Sequence, residues 1–258
     1  VFTRNERSAL RDALVAAARA DHRIDGAAVT GSAASGAEDG WSDVDLAFGL
    51  AEGADQAAVI ADWTAAMYER HGAVAHLDVP RGATIYRVFL LASTLQVDIA
   101  FAPAAEFGAI APTFRLLFGT ARDVPVAAPP EAAGLVGMGW LYALHARSSI
   151  ERGRGWQALY MINGLRDQVV ALACLQHDLP AWQGRGVDGL PAAVTQPLLG
   201  TLVGALDDAT LRRAFAVATE ALLAEAAHVD PALAERLAGP LRAMTDAGRS
   251  GAAGQEPQ

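Results

Sequence analysis

Two aspartates one residue apart, Asp43 and Asp45, open an apolar run that continues to Leu50. In a β-strand, side chains two apart share a face, so both carboxylates would project together while Val44 turns into the core. Carboxylates held side by side repel unless a cation lies between them, and hard oxygen donors suit Mg²⁺. Upstream, a short apolar run from Ala27 to Thr30 leads into a Gly31-Ser32 turn. Such a turn offers bare backbone N–H groups and a hydroxyl to a phosphate, above all where a helix begins. A phosphate cradle beside paired carboxylates reads as metal-assisted nucleotidyl transfer.

The order Gly31-Ser32, a Gly-rich spacer, then Ser42-Asp43-Val44-Asp45-Leu46 resembles the signature of the polymerase-β-like nucleotidyltransferase superfamily. Within it, the chain is similar to the small bacterial aminoglycoside and lincosamide nucleotidyltransferases. Residues 27–48 carry the resemblance, which continues more loosely to about Thr120 and beyond that rests on a helical domain following the catalytic one. The resemblance implies a third carboxylate on a later strand. Asp98 matches, a single acid inside the strand-like run Leu95-Gln96-Val97-Asp98-Ile99-Ala100-Phe101. Burying an unpaired carboxylate is expensive, so an Asp in such a run needs a partner, a metal or water. Asp78 competes for that role, but its position beside Pro80-Arg81-Gly82 favours capping a turn.

The expected chemistry follows. Asp43, Asp45 and Asp98 would hold one or two Mg²⁺ ions against the phosphates of ATP or another nucleoside triphosphate. The metal neutralises charge building on the α-phosphate and on departing pyrophosphate. Asp98 would draw the proton from an acceptor hydroxyl, with Glu106 as the other base candidate. As a first-turn residue, Glu106 better suits interaction with a helix dipole than the role of base. Gly31 and Ser32 would bind the terminal phosphates. Ser42 either adds a hydroxyl contact or caps the turn before the strand. By the resemblance, the acceptor is a small molecule bearing a hydroxyl, such as an aminoglycoside-like antibiotic, and the group transferred is AMP. Two alternatives stand beside this one: AMP transfer to a protein side chain, and a nucleotide- or partner-binding module without catalysis.

Composition bounds these readings. The 258 residues suffice for two modest domains, and 52% hydrophobic with 19% charged residues describes a packed globular chain. All 20 basic residues are Arg, which with abundant Ala and Gly points to GC-rich coding. A net charge of −9 lacks the basic footprint of broad nucleic-acid binding, so no nucleic-acid partner is expected. One cysteine, Cys174, within an apolar run, excludes an internal disulfide and suits a buried thiol. None of the six His forms a metal-ligand pair. With no secretory pattern and no apolar span of bilayer length, a cytoplasmic protein without membrane contact is expected.

The elements that must position the acids read as an α/β domain with a mixed sheet over residues 1–124, followed by an all-α domain over 125–246. Residues 4–21 form an amphipathic helix behind a Thr3/Glu6 capping box. Strands are expected at 27–30, 43–50, 73–79, 84–91 and 95–101, with a turn at 31–36 that could begin a short helix and a longer helix at 54–70. Ala92-Ser93-Thr94 makes the last two strands an antiparallel hairpin. The Pro-rich piece Val124–Pro130 is the expected boundary. Helices are expected at 131–151, 155–178, 193–206, 208–228 and 230–246, and residues 247–258 read as a disordered tail.

In the helical half, Arg147 and Glu151 are spaced for an i,i+4 ion pair. Tyr160, Asn163 and Asp167 fall on neighbouring turns and could line an acceptor pocket, whereas Trp156 suits pocket or core alike. The glycine-rich stretch Gln183–Pro191 lacks a preceding strand and a P-loop ending, and reads as an interhelical loop. Amphipathic faces in this half are also where a homodimer would assemble.

Overall fold

A computed structural model describes residues 2–126 and 128–246 and divides the chain into two compact units, Val1–Ala127 and Ala128–Gln258. The expected disordered tail lies outside the described residues. The first unit runs α1 (Arg4–Ala20), β1 (Ile24–Thr30), α2 (Gly31–Ser35), β2 (Val44–Leu50), α3 (Gln56–Arg70), β3 (Ala73–Arg81), β4 (Thr84–Leu91), β5 (Gln96–Ala102) and β6 (Phe114–Phe118). Its sheet has the order β3-β4-β5-β2-β1-β6. β2 and β5 pair in parallel and the other neighbours are antiparallel, so the sheet is mixed.

Local chemistry fixes the helix ends. At α1 the Thr3 hydroxyl accepts from the Glu6 N–H at 3.2 Å while the Glu6 carboxylate accepts from the Thr3 N–H at 2.7 Å, a reciprocal cap. At α3 the Asp55 carboxylate accepts from the Ala58 N–H, and the helix ends at His71 before Gly72 enters the left-handed region.

The period-2 alternation of β2 and β5 separates two sheet faces. Val44, Leu46, Phe48 and Leu50, with Val97, Ile99 and Phe101, face the main core, packed with Leu14 and Ala18 of α1 and Val59, Trp63 and Met67 of α3. Phe48 lies 4.8 Å from Trp63 and 5.9 Å from Phe101 between ring centroids. On the opposite face Ala28, Ala47, Ala100 and Ala102 cluster with Phe107. Gly26 and Gly49, paired across β1 and β2, leave the hollow in which the Phe107 ring sits. A β-carbon at either would collide with that ring.

Four elements differ from the expectation. β1 starts earlier, at Ile24, and β3 runs on through Pro80. β6 was not anticipated: Phe114-Arg115-Leu116-Leu117-Phe118 is short and follows a loop, and only pairing with β1 identifies it as a strand. Residues 193–206 are not one helix. α6 (Ala192–Leu198) gives way to a single 3₁₀ turn, Leu199–Thr201, where the Thr201 hydroxyl donates to the Leu198 carbonyl at 2.7 Å.

The second unit contains α4 (Ala132–Glu151), α5 (Gly155–Gln176), α6, α7 (Asp208–Val229) and α8 (Pro231–Asp246), with no strand among its described residues. Small residues let the helices approach closely: Ala143, Ala146, Ala158, Ala214 and Ala218 are buried together. Gly139 makes room for Leu222 and Gly164 for the Tyr142 ring. Ser149 and Thr219 are buried, and their hydroxyls donate to carbonyls four residues back at 2.8 Å. No helix among the described residues is long and apolar enough to cross a membrane.

Candidate functional site

The carboxylates of Asp43, Asp45 and Asp98 converge. One oxygen from each lies within 4.8 Å of the others, and all three residues are half-buried. Strand register explains this. Parallel pairing sets Asp45 directly beside Asp98, both on the face opposite the main core. Asp43 lies one residue before β2 and extends the same edge, while Val44 is buried behind it.

Gln96 also belongs to this edge. Its amide donates to both Asp98 oxygens at 3.1 and 3.2 Å, and to Asp43 at 3.5 Å. Burial pushes the Asp98 carboxyl above the usual carboxylate range; the Gln96 hydrogen bond opposes that and the nearby Asp43 charge reinforces it. A cluster of hard oxygen donors in which one acid resists ionisation fits a divalent cation, whose charge would relieve the repulsion.

Gly31 opens α2 with φ +57°, a conformation that side chains disfavour. A β-carbon there would fall on the Asp45 carboxylate, so the turn and the acid are packed against each other. Ser32 follows in the first turn of α2, and its carbonyl accepts from Gly36 and Ala37 as the helix closes. β6 brings in Arg115, whose guanidinium donates to the Ala33 carbonyl at 3.4 Å and so lies against α2. Sequence reasoning passed over Arg115 because β6 itself was not recognised. It passed over Gln96 because a neutral amide in a strand carries no signal without its neighbours.

The loop between α2 and β2 is held from below. Arg7 of α1, only 2% exposed, donates to the Asp39 carbonyl at 2.7 Å and the Ser42 carbonyl at 3.1 Å. Its Nε lies within ion-pair distance of the Glu38 carboxylate at 3.3 Å, and Arg11 donates to the same carboxylate at 2.6 Å. The Ser42 hydroxyl is taken up inside the loop: it accepts from the Asp39 N–H and donates to the Asp39 carboxylate. The capping alternative for Ser42 is therefore the one its contacts describe.

Other sequence candidates lie elsewhere. Glu106 accepts from the Ala83 N–H and, at 2.7 Å, from the Thr84 hydroxyl, latching the β3–β4 turn. Its carboxyl is held below the ordinary range, first by Thr84 and then by Ala83. Beside that turn Ile85 pairs with Phe101, three residues along β5 from Asp98, or about 10 Å. Asp78 does not cap a turn; it is ion-paired at 2.6 Å with Arg87, its partner across β3 and β4. In the second unit Glu151 pairs with Arg212 of α7 rather than with Arg147. Trp156 and Tyr160 are 77% and 68% exposed, so Trp156 is not core, and Asp167 lies beside Arg166. Gln183–Pro191 is an interhelical loop closed by a 3₁₀ turn at Val187–Gly189. A groove of about 610 Å³ lined by Leu50, Ala51, Gln56, Pro103 and Arg122 lies at the far ends of β2 and β5 and shares no residue with the acidic cluster.

Fold and site together define an α/β unit with three convergent carboxylates on a mixed sheet, followed in the chain by an all-α unit. No known family model matches the chain, and no curated protein matches it significantly. Among solved structures, an aminoglycoside 6-adenyltransferase from Bacillus subtilis aligns with 93% of this chain and 98% of its own. The TM-score is 0.41 and the identity 11%, a distant likeness on which no argument about activity rests.

Proposed function

We propose that the protein is a Mg²⁺-dependent nucleotidyltransferase that moves a nucleoside monophosphate, AMP from ATP, onto a hydroxyl of a small molecule such as an aminoglycoside-like antibiotic. The observation that supports this is the convergence of Asp43, Asp45 and Asp98 beside the Gly31 turn. Divalent metal at this cluster would supply charge neutralisation at the α-phosphate and the leaving pyrophosphate. Asp43 and Asp45 would hold it from β2 and Asp98 from β5. Gly31, Ser32 and the α2 backbone would receive the terminal phosphates, with Arg115 lying against the same helix. Of the two base candidates, Asp98 is within the cluster while Glu106 is committed to its turn. Asp98 would then accept the acceptor's hydroxyl proton.

The test is calorimetric titration of ATP, GTP, CTP and UTP with and without Mg²⁺, beside Asp43→Asn/Asp45→Asn. Metal-dependent binding that the double variant loses supports the reading, and the preferred base directs a screen of acceptors by mass gain and pyrophosphate release. Absence of binding by folded protein overturns it.

A further inference from the structure

We propose that Trp41 is a stacking platform for the base of the bound nucleotide, an inference that rests on the nucleotidyltransferase reading and extends it. Trp41 is 86% exposed, the most exposed of the large apolar side chains among the described residues. Its setting is nevertheless built. The Trp41 N–H donates to the Asp39 carboxylate at 2.8 Å, the Ser42 hydroxyl closes the same turn, and buried Arg7 grips the carbonyls on both sides. A buried guanidinium and a closed turn thus hold a loop tip whose one large side chain points to solvent.

An aromatic ring held in place before its partner arrives gives up little conformational freedom on stacking. Its neighbours narrow the partner's class. Its neighbours in the chain are Glu38, Asp39, Gly40 and Ser42, so the loop offers a single ring rather than an apolar run. A stable protein interface needs roughly 800 Å² from each side, which one ring in a polar loop does not provide. A small planar group does fit. Trp41 precedes Asp43 by two residues, a chain distance of at most about 7 Å. The backbone that carries the indole therefore lies within a nucleoside's length of the backbone that carries Asp43. Stacking on indole tolerates any base, so the residue contributes affinity more than base choice.

Calorimetry with two probes tests this: Mg²⁺-ATP, and Mg²⁺-tripolyphosphate, which has no base. Wild type, Trp41→Ala and Trp41→Phe are compared. Trp41→Ala should weaken ATP binding about 5- to 150-fold and leave tripolyphosphate binding unchanged, while Trp41→Phe retains most of the ATP affinity. Equal ATP affinity in wild type and Trp41→Ala overturns the stacking role and leaves the nucleotidyltransferase reading standing. Parallel loss of both probes also overturns it, because the loop would then serve the phosphate site only. If wild type binds neither probe, the site reading fails and the stacking role fails with it.

Discussion

The Asp45 carboxylate occupies the volume that a β-carbon on Gly31 would need. The Gly31 turn and the Asp45 carboxylate are therefore one packed unit. Gly31→Ala should suffer twice. The left-handed backbone at φ +57° disfavours a side chain by about 1 kcal/mol, and the new methyl must displace Asp45. We expect a small loss of thermal stability and Mn²⁺ binding weakened tenfold or more in calorimetry. A Gly31→Ala protein that binds Mn²⁺ as wild type does would separate the two residues.

On the proposed reading, Asp98 pulls stability and function in opposite directions. Its folded carboxyl titrates above the ordinary aspartate value of 3.8, because burial and then Asp43 disfavour the charge. A raised acid makes no unfavourable contribution at pH values where both states are protonated. The contribution grows as pH rises past 3.8 and is complete above the folded value. Asp98→Asn should thus melt higher than wild type at neutral pH without metal, lose that advantage in acid, and lose 10³-fold or more in transfer rate. Thermal melts across pH, paired with pyrophosphate release, check both halves.

Arg7 and Arg11 both reach Glu38, yet their loss should differ. Arg7 is buried and carries the loop carbonyls as well, so Arg7→Ala leaves two acceptors without their donor, while Glu38 keeps Arg11, at a cost of about 2–3 kcal/mol. The Arg11 side chain is more accessible, and Arg11→Ala should cost under about 1 kcal/mol. Urea denaturation of the two variants gives the comparison, and equal losses would contradict it.

Glu106→Gln tests whether that acid is a base or a latch. As a latch, its loss should cost about 1 kcal/mol and leave turnover unchanged. The folded Glu106 carboxyl titrates below the ordinary 4.5, so its stabilisation is full above that pH and fades as pH falls through the folded value. The acid-induced fall in melting temperature should be shallower in Glu106→Gln. A collapse of turnover at unchanged stability would make Glu106 the base after all.

Much of the geometry was legible because it rests on period and punctuation. Alternation around Val44 sends Asp45 to one face and Val44 to the other, and the Thr3/Glu6 pair announces α1 four residues into the chain. What remained hidden depends on partners distant in sequence. β6 is a strand only through β1, and Arg115 came with it. Gln96 matters only because register places it beside Asp43 and Asp98. Arg7 carries no signal of its own in the sequence, since nothing local reveals that a loop some thirty residues later folds over it. Glu151 similarly chose Arg212, from another helix, over the nearer Arg147.

The parallel pairing of β2 with β5 also bears on the order of events as the chain folds. α3, β3 and β4 all lie in the chain between Asp45 and Asp98, so pairing of β2 with β5 closes a long loop and is costly to form early. A half-formed sheet offers only Asp43 and Asp45 from one strand, whereas the finished sheet offers all three acids. Metal captured by the complete set binds a late species, so it should slow the escape from the native state far more than it hastens arrival there.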